Sequence, residues 1–181
     1  MTSVRPRDVL DFWFAAGWEK WWAKSGPFDA EVRQRFGGTY DDAVAGKLDK
    51  WMGEPQGALA LIIILDQFSR NLFRDDHRAW AQDVKALQLT REAIKRRFDV
   101  ELPVMVRNWI YMPFVHSEDA AVQKEGLEYF ARLKNPEVMR FAEEHADIIR
   151  RFGRFPHRNQ VLGRVSTEAE QDFLNSGGFS G

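Results

Sequence analysis

The sequence predicts an all-α fold, and three observations support that prediction. Apolar residues recur every three to four positions through most of the chain, the period of a helix with one buried face. Helix-starting pairs such as Asn135-Pro136 precede apolar stretches. The only rival, a buried strand at residues 58–65, has no other strand-like segment to pair with. About seven or eight helices with short connectors favour antiparallel pairs packed in layers.

Two prolines and one spacing pattern define the first helices. Pro6 suits the first position of a helix that ends near Gly17. Apolar side chains at every fourth position predict a second helix from about Asp29. Pro55 opens a third helix, whose segment 58–65 is apolar on all sides and must therefore lie within the core. We expect its most buried residues to include Leu61, Ile62, Ile64 and Leu65.

Later boundaries follow from capping residues and prolines. We expect Asp75 or Asp76 to cap a fourth helix, and a fifth to run from Pro103 and stop before Pro113. Ser117 is a suitable cap for a sixth helix, which reaches about Leu133. Asn135-Pro136 starts the seventh. The last helix is short and follows a capping box formed by Thr167 and Glu170.

Length and composition indicate one globular domain. The chain has 181 residues, of which 44% are hydrophobic, enough to bury a core. We expect a single helical domain over residues 1–175 and a flexible C-terminal tail over 176–181. Cysteine is absent, which excludes disulfides, thiolate catalysis and cysteine-ligated metals.

Charge and hydropathy limit the possible partners. The formal net charge is −1, whereas nucleic-acid-binding proteins usually carry a basic excess. The longest apolar run has eight residues, far fewer than the roughly 20 that span a bilayer. We therefore expect a cytoplasmic protein that binds neither nucleic acid nor a membrane. The oligomeric state is left open.

The most informative segment is rich in arginine. Between Ile148 and Thr167 no acid occurs, and Gly153 and Pro156 favour a shaped loop. We call residues 150–166 the arginine segment. Close guanidinium groups require anions, which either a ligand or the protein's own acids could supply. The segment contains five arginines: Arg150, Arg151, Arg154, Arg158 and Arg164.

Three other polar groups are candidates for the same site. Asp66 to Asn71 follow the buried run, with Asp66 and Arg70 four residues apart as in a helical ion pair. His116 and Glu118 flank the expected cap at Ser117, and His116 has a side chain suited to proton transfer. His145 lies on an apolar helix face, where a structural role is also open.

No recognised metal or cofactor motif is present. The chain has neither a phosphate-binding glycine loop nor a His-Glu-x-x-His sequence. It also has no Glu-x-x-His pair, which argues against a di-iron bundle. We therefore expect no metal and no cofactor.

Four ordered motifs give the chain a family resemblance. They are Asp11-Phe-Trp-Phe14, residues 65–74, Tyr111-Met-Pro-Phe-Val-His-Ser-Glu118 and residues 151–167. Together they resemble the bacterial domain-of-unknown-function family 924. The resemblance implies an all-helical fold similar to tetratricopeptide-repeat superhelices. It implies no established activity.

We hypothesise a pocket for a small carboxylate or phosphate, formed where these motifs converge. The alternative is a helical-repeat-like scaffold that binds a peptide or protein partner, for example through a terminal carboxylate, without catalysis. In a third interpretation the arginine segment only fastens the last helix to the core. If the protein is an enzyme, we expect the acid–base and orienting residues to be His116, His157 and Asp66. The expected ligand-binding residues are Gln67, Arg70, Asn71, Glu118, His145, Arg154, Arg158, Asn159 and Arg164.

Overall fold

The structure, a computed structural model, describes residues 4–22 and 24–179. Within those ranges it is helical and contains no strand, so the all-α prediction is confirmed. The helices are α1 Pro6–Trp22, α2 Gly26–Val44, α3 Pro55–Ile63, α4 Ser69–Leu72, α5 Asp83–Lys95, α6 Phe98–Glu101, α7 Asn108–Val115, α8 Ala120–Ala131, α9 Pro136–Phe152 and α10 Glu168–Asn175.

The chain divides into two compact units. The first contains Met1–Arg74 and Arg78–Pro113, and the second contains Asp75–His77 and Phe114–Gly181. The expectation of one domain over residues 1–175 stays a prediction. In the described part of the chain, no helix has both the length and the apolar character needed to cross a membrane.

The core of the first unit is formed by the helix that starts at Pro55. Every residue from Ala58 to Leu65 is at most 1% exposed, which confirms the predicted burial. Helix α3 packs against α1 and α5, and α4 packs against α2. Between α3 and α4, residues Ile64–Phe68 form a π-helical turn. The helix therefore continues beyond the apolar run, as expected, but with one wider turn.

The first two helices differ slightly from the predicted bounds. Gly17 kinks α1 with a φ of 75°, but the helix resumes and reaches Trp22. The Trp21 indole donates to the carbonyl of Trp13 across the kink at 2.8 Å. Helix α2 starts at Gly26 because the Ser25 hydroxyl accepts a hydrogen bond from the amide of Phe28.

Two further boundaries were wrong. Asp75 adopts a left-handed backbone with φ of 58°. Asp76 precedes only a short 3-10 turn, His77–Trp80, and α5 begins at Asp83, after Gln82, so neither aspartate caps the fourth predicted helix. The expected stop before Pro113 is also wrong, since α7 starts at Asn108 and contains this proline. Burial of its neighbours outweighs the lost hydrogen bond; Ile110, for example, is 0% exposed.

In the second unit, α8 and α9 pack together. The cap of α8 is Asp119 instead of Ser117, because the Asp119 carboxylate accepts from the amides of Ala121 and Val122. The predicted caps of α9 and α10 are confirmed: Asn135 accepts from two first-turn amides, and Thr167 forms the capping box with Glu170.

The C-terminal tail folds back after α10. The amide of Gly178 donates to the carbonyl of Phe173 at 2.9 Å, and Gly177 has a φ of 82°. Residues 180 and 181 of the predicted flexible tail lie outside the described residues. The flexibility of residues 176–179 stays a prediction.

Candidate functional site

In the first unit, the predicted polar group surrounds the π-helical turn. Asp66 is 0% exposed, and its carboxylate accepts a 2.6 Å hydrogen bond from the Gln67 amide. Arg70 lies 3.5 Å from the same carboxylate and 3.0 Å from Asp83. A π-helical turn is rare and often occurs at a functional site; the functional role expected of these residues stays a prediction.

Within the first unit, Arg70 pairs with both carboxylates of this group. Burial lowers the pKa of Arg70, but Asp83 and Asp66 outweigh that effect and raise its pKa above the ordinary value. Arg70 is therefore a permanent cation between two carboxylates. Asn71 lies apart from it, since its side-chain amide donates to Asp29 of α2 at 2.8 Å. Asp66 and Arg70 therefore form the ion pair that their four-residue spacing predicts.

In the second unit, Arg164 and Glu118 form a bidentate salt bridge. The two nitrogen–oxygen distances are 2.7 and 2.9 Å. Glu118 precedes the Asp119 cap, and its carboxylate also accepts from the backbone amide of Phe155 at 2.7 Å. Burial raises the pKa of Glu118, but the hydrogen bonds from Arg164 and Phe155 and the charge of Arg158 bring it below its ordinary value.

A second bidentate pair joins Arg154 to Glu170. The distances are 2.6 and 2.8 Å, and the Glu170 side chain is 3% exposed. The Arg154 hydrogen bond is the main cause that lowers the pKa of Glu170 to about 2, with help from the Thr167 amide and Asn159. This pair attaches α10 to the arginine segment.

Arg158 is the most buried of these arginines, at 7% exposure. It donates to the carbonyl of His116 at 3.0 Å, and its guanidinium lies 4.7 Å from the centre of the Phe155 ring. We call Arg154, Arg158, Arg164, Glu118 and Glu170 the Arg–Glu network.

The remaining arginines of the segment face solvent. Arg150 and Arg151 both pair with Asp147, one turn earlier on α9. The protein's own acids, one of the two sources of anions considered from the sequence, thus pair with Arg150, Arg151 and Arg154. Asp147 and Glu170 lie just outside the acid-free interval, and the helical turn and the capping box bring them to the arginines.

Three histidines adjoin the network. The rings of His116 and His145 are 6.4 Å apart, and those of His145 and His157 each contact Phe155, at 5.8 and 5.6 Å. His145 is 2% exposed, and its Nδ1 lies 2.8 Å from the carbonyl of Phe141. No group of metal-binding side chains occurs in residues 4–22 and 24–179.

The structure thus brings the predicted residues into two groups, one in each unit. Convergence of the two groups on one site stays a prediction. Sequence reasoning missed Phe155 and the ionic role of Glu170; the capping box was the signal that could have located the latter. The group in the second unit contains His116, Glu118, His145, Arg154, His157, Arg158, Asn159 and Arg164.

Comparisons with known proteins agree with the resemblance noted above. Residues 9–178 match the model of the family described as "Bacterial protein of unknown function (DUF924)". The chain belongs to this family. A search of curated proteins found no match.

One solved structure is similar over almost the full length. It is the protein of unknown function ATU0120 from Agrobacterium tumefaciens, with a TM-score of 0.91 and 38% sequence identity. The alignment covers 94% of this chain and 97% of that one. Both the family and this related protein are described as being of unknown function.

Proposed function

We propose that the second unit of this DUF924 protein binds a small carboxylate or phosphate beside Arg158. The support is the Arg–Glu network, which gathers the guanidinium groups of Arg154, Arg158 and Arg164 in one unit, with Arg158 only 7% exposed. A guanidinium group can bind the oxygens of a carboxylate or phosphate through two hydrogen bonds, which are stronger where water is excluded.

The pairing pattern assigns different tasks to the arginines. Arg154 and Arg164 each make a bidentate bond to an internal glutamate, so we propose that they shape the site and do not contact the ligand through both nitrogens. Arg158 shares Glu118 with Arg164. It is therefore the arginine best suited to exchange part of its interaction for a ligand oxygen.

Two histidines could add proton transfer to binding. Both histidines lie beside Arg158. His157 directly precedes it in the short helical turn Pro156–Arg158, and the backbone carbonyl of His116 accepts a hydrogen bond from it. Imidazole changes charge near neutral pH, so either side chain could serve as a general acid or base if the bound anion is also a substrate. The part expected of Asp66, Gln67, Arg70 and Asn71 stays a prediction.

The experiment is a titration with acetate, phosphate and sulfate at constant ionic strength. Binding to the folded state alone should raise the melting temperature with the logarithm of anion concentration. We expect Arg158→Gln to lose this response. Arg150→Gln is the matched control, since the Arg150 side chain is 75% exposed and outside the network.

Calorimetry of the same proteins decides the outcome. If Arg158→Gln does not fold, His157→Ala takes its place, and it should weaken the binding of all three anions. The proposal is contradicted if the parent protein shows no saturable binding, or if Arg158→Gln binds as tightly as the parent. An anion response lost equally in Arg150→Gln would also contradict it.

The scaffold alternative remains a second proposal with less support. It requires basic groups spread over successive helices, whereas in the second unit the arginines named above occupy the arginine segment. The tetratricopeptide-like superhelical array is likewise part of this proposal. A net charge of −1 favours a small anion or a peptide carboxylate over nucleic acid as the ligand. We also propose that the protein is cytoplasmic and does not bind a membrane.

A further inference from the structure

Phe179, at the end of the described chain, packs against two of the three histidines. Its ring centre is 4.6 Å from that of His145 and 5.2 Å from that of His157. The interplanar angles of 63° and 79° are those of edge-to-face contacts, a favourable arrangement for aromatic rings. Phe179 nevertheless remains 38% exposed.

The contacts close a ring of four aromatic side chains. His145 and His157 both contact Phe155 on one side and Phe179 on the other. Phe155 is 1% exposed and His145 is 2% exposed, so they form the inner wall. We call the position between the two histidines, which Phe179 occupies, the ring position.

Phe179 reaches the ring position through a glycine turn. Gly177 has a left-handed backbone, and an added Cβ at Gly178 would lie 2.5 Å from the carbonyl oxygen of Phe173. Both glycines are therefore required for this path of the chain. By contrast, His145 lies on α9, His157 lies in the short helical turn Pro156–Arg158, and Phe155 caps that turn. Phe179 is held by ring contacts and a glycine turn and is 38% exposed, so it can leave this position at a lower cost than a fully buried helix residue can.

The wall residues also link the ring position to the proposed anion site. Arg158 stacks on Phe155 at 4.7 Å, and Phe155 contacts both histidines that hold Phe179. The guanidinium of Arg158 and the two histidines therefore contact the same ring, that of Phe155. The chemistry that fits both features is an aromatic acid.

We infer that the ring position is a subsite for the aromatic ring of a small aryl carboxylate or aryl phosphate, and that Phe179 is an internal competitor for it. The inference rests on the proposed anion site, because Arg158 supplies the charge recognition. It adds the ligand class. Phe179 must leave before the ring of the ligand can enter, so its removal should strengthen the binding of aryl acids but not of simple anions.

The test compares two matched pairs of ligands by calorimetry, phenylacetate with acetate and phenyl phosphate with inorganic phosphate. Phe179→Ala should bind each aryl acid more tightly than the parent protein, by on the order of 10-fold, the scale of two aromatic contacts. Its affinity for acetate and phosphate should not change. Val165→Ala is the control, since this side chain is 88% exposed, and it should behave as the parent does.

The outcomes separate this inference from the proposed function. If phosphate binds in an Arg158-dependent way but Phe179→Ala leaves the aryl affinities unchanged or weaker, the ring subsite is wrong and the anion site stands. If Phe179→Ala strengthens aryl binding and Arg158→Gln does not weaken it, the ring position is a subsite without the proposed anion contact. If none of the four ligands binds to any variant, both proposals are wrong.

Discussion

The buried run Ala58–Leu65 in the first unit and the arginine segment in the second are held by different forces. The run is at most 1% exposed and contains only aliphatic side chains, so apolar burial stabilises it. The segment is held by Arg154–Glu170 and Arg164–Glu118 pairs. Burial is insensitive to protonation, whereas an ion pair is not, so the two regions should respond differently to pH.

The largest effect is expected in the apolar run. Ile64→Ala should lower the free energy of unfolding by about 2–5 kcal/mol, because it removes buried methyl groups and leaves a cavity. The loss should be similar at pH 4 and pH 7, since no titrating group is changed. Urea denaturation at both pH values measures it. The control Val165→Ala, on an exposed side chain, should change the free energy of unfolding by less than about 0.5 kcal/mol. If Ile64→Ala changes it as little as this control does, the assignment of Ile64 to the core is wrong.

A smaller and pH-dependent effect is expected at Glu170. Its pKa in the folded protein is about 2, below the ordinary value of 4.5. Its ionised form therefore favours folding above pH 4.5, and this contribution disappears as the pH falls toward 2 and below. Glu170→Gln should lower the melting temperature at pH 7 and flatten its decrease between pH 4.5 and pH 2.

Melting curves of the parent and variant across this pH range check the prediction. Glu137→Gln is a suitable control, because Glu137 also lies in the first turn of a helix but is exposed. Parallel pH profiles for the parent and Glu170→Gln would show that the Arg154 pair adds no pH-dependent stability. The contrast between the two regions would then be lost.

The smallest effect is expected at the helix caps. Thr167→Ala should cost about 1 kcal/mol, because it breaks the reciprocal capping box of α10. Ser25→Ala, at the cap of α2, should cost less. The Ser25 hydroxyl lies 3.5 Å from the amide that it caps, against 3.2 Å at Thr167. Chemical denaturation of both variants ranks the two caps; an equal or reversed ranking would contradict the geometry.

Local sequence signals predicted what local interactions decide. Asn135 and Thr167 cap helices as expected because each hydrogen-bonds to amides two or three residues away. Ser117 did not, since the neighbouring Asp119 offers a carboxylate to the same turn. At Pro113 the burial of the surrounding helix overrides the usual effect of proline, and burial of that kind depends on contacts distant in sequence.

The candidate site was predictable in composition but not in pairing. The arginines, histidines and Glu118 were identified from their clustering, and the second unit brings them together. Their partners were harder to foresee, because Glu170 reaches Arg154 only through the fold of residues 155–167. The sequence also contains no signal that Phe179 would lie against His145 and His157, since such a contact joins residues more than 20 positions apart.

The π-helical turn at Ile64–Phe68 determines the direction in which the side chain of Arg70 leaves the helix that follows. A π-helical turn accommodates an additional residue compared with an α-helical turn, and one residue corresponds to a rotation of roughly 100° about the helix axis. Deleting one residue there would restore regular geometry while Ala58 and its neighbours kept their packing. Arg70 would then be turned away from Asp83. A variant with one residue deleted at this point should therefore keep the buried run but lose the Arg70–Asp83 pair.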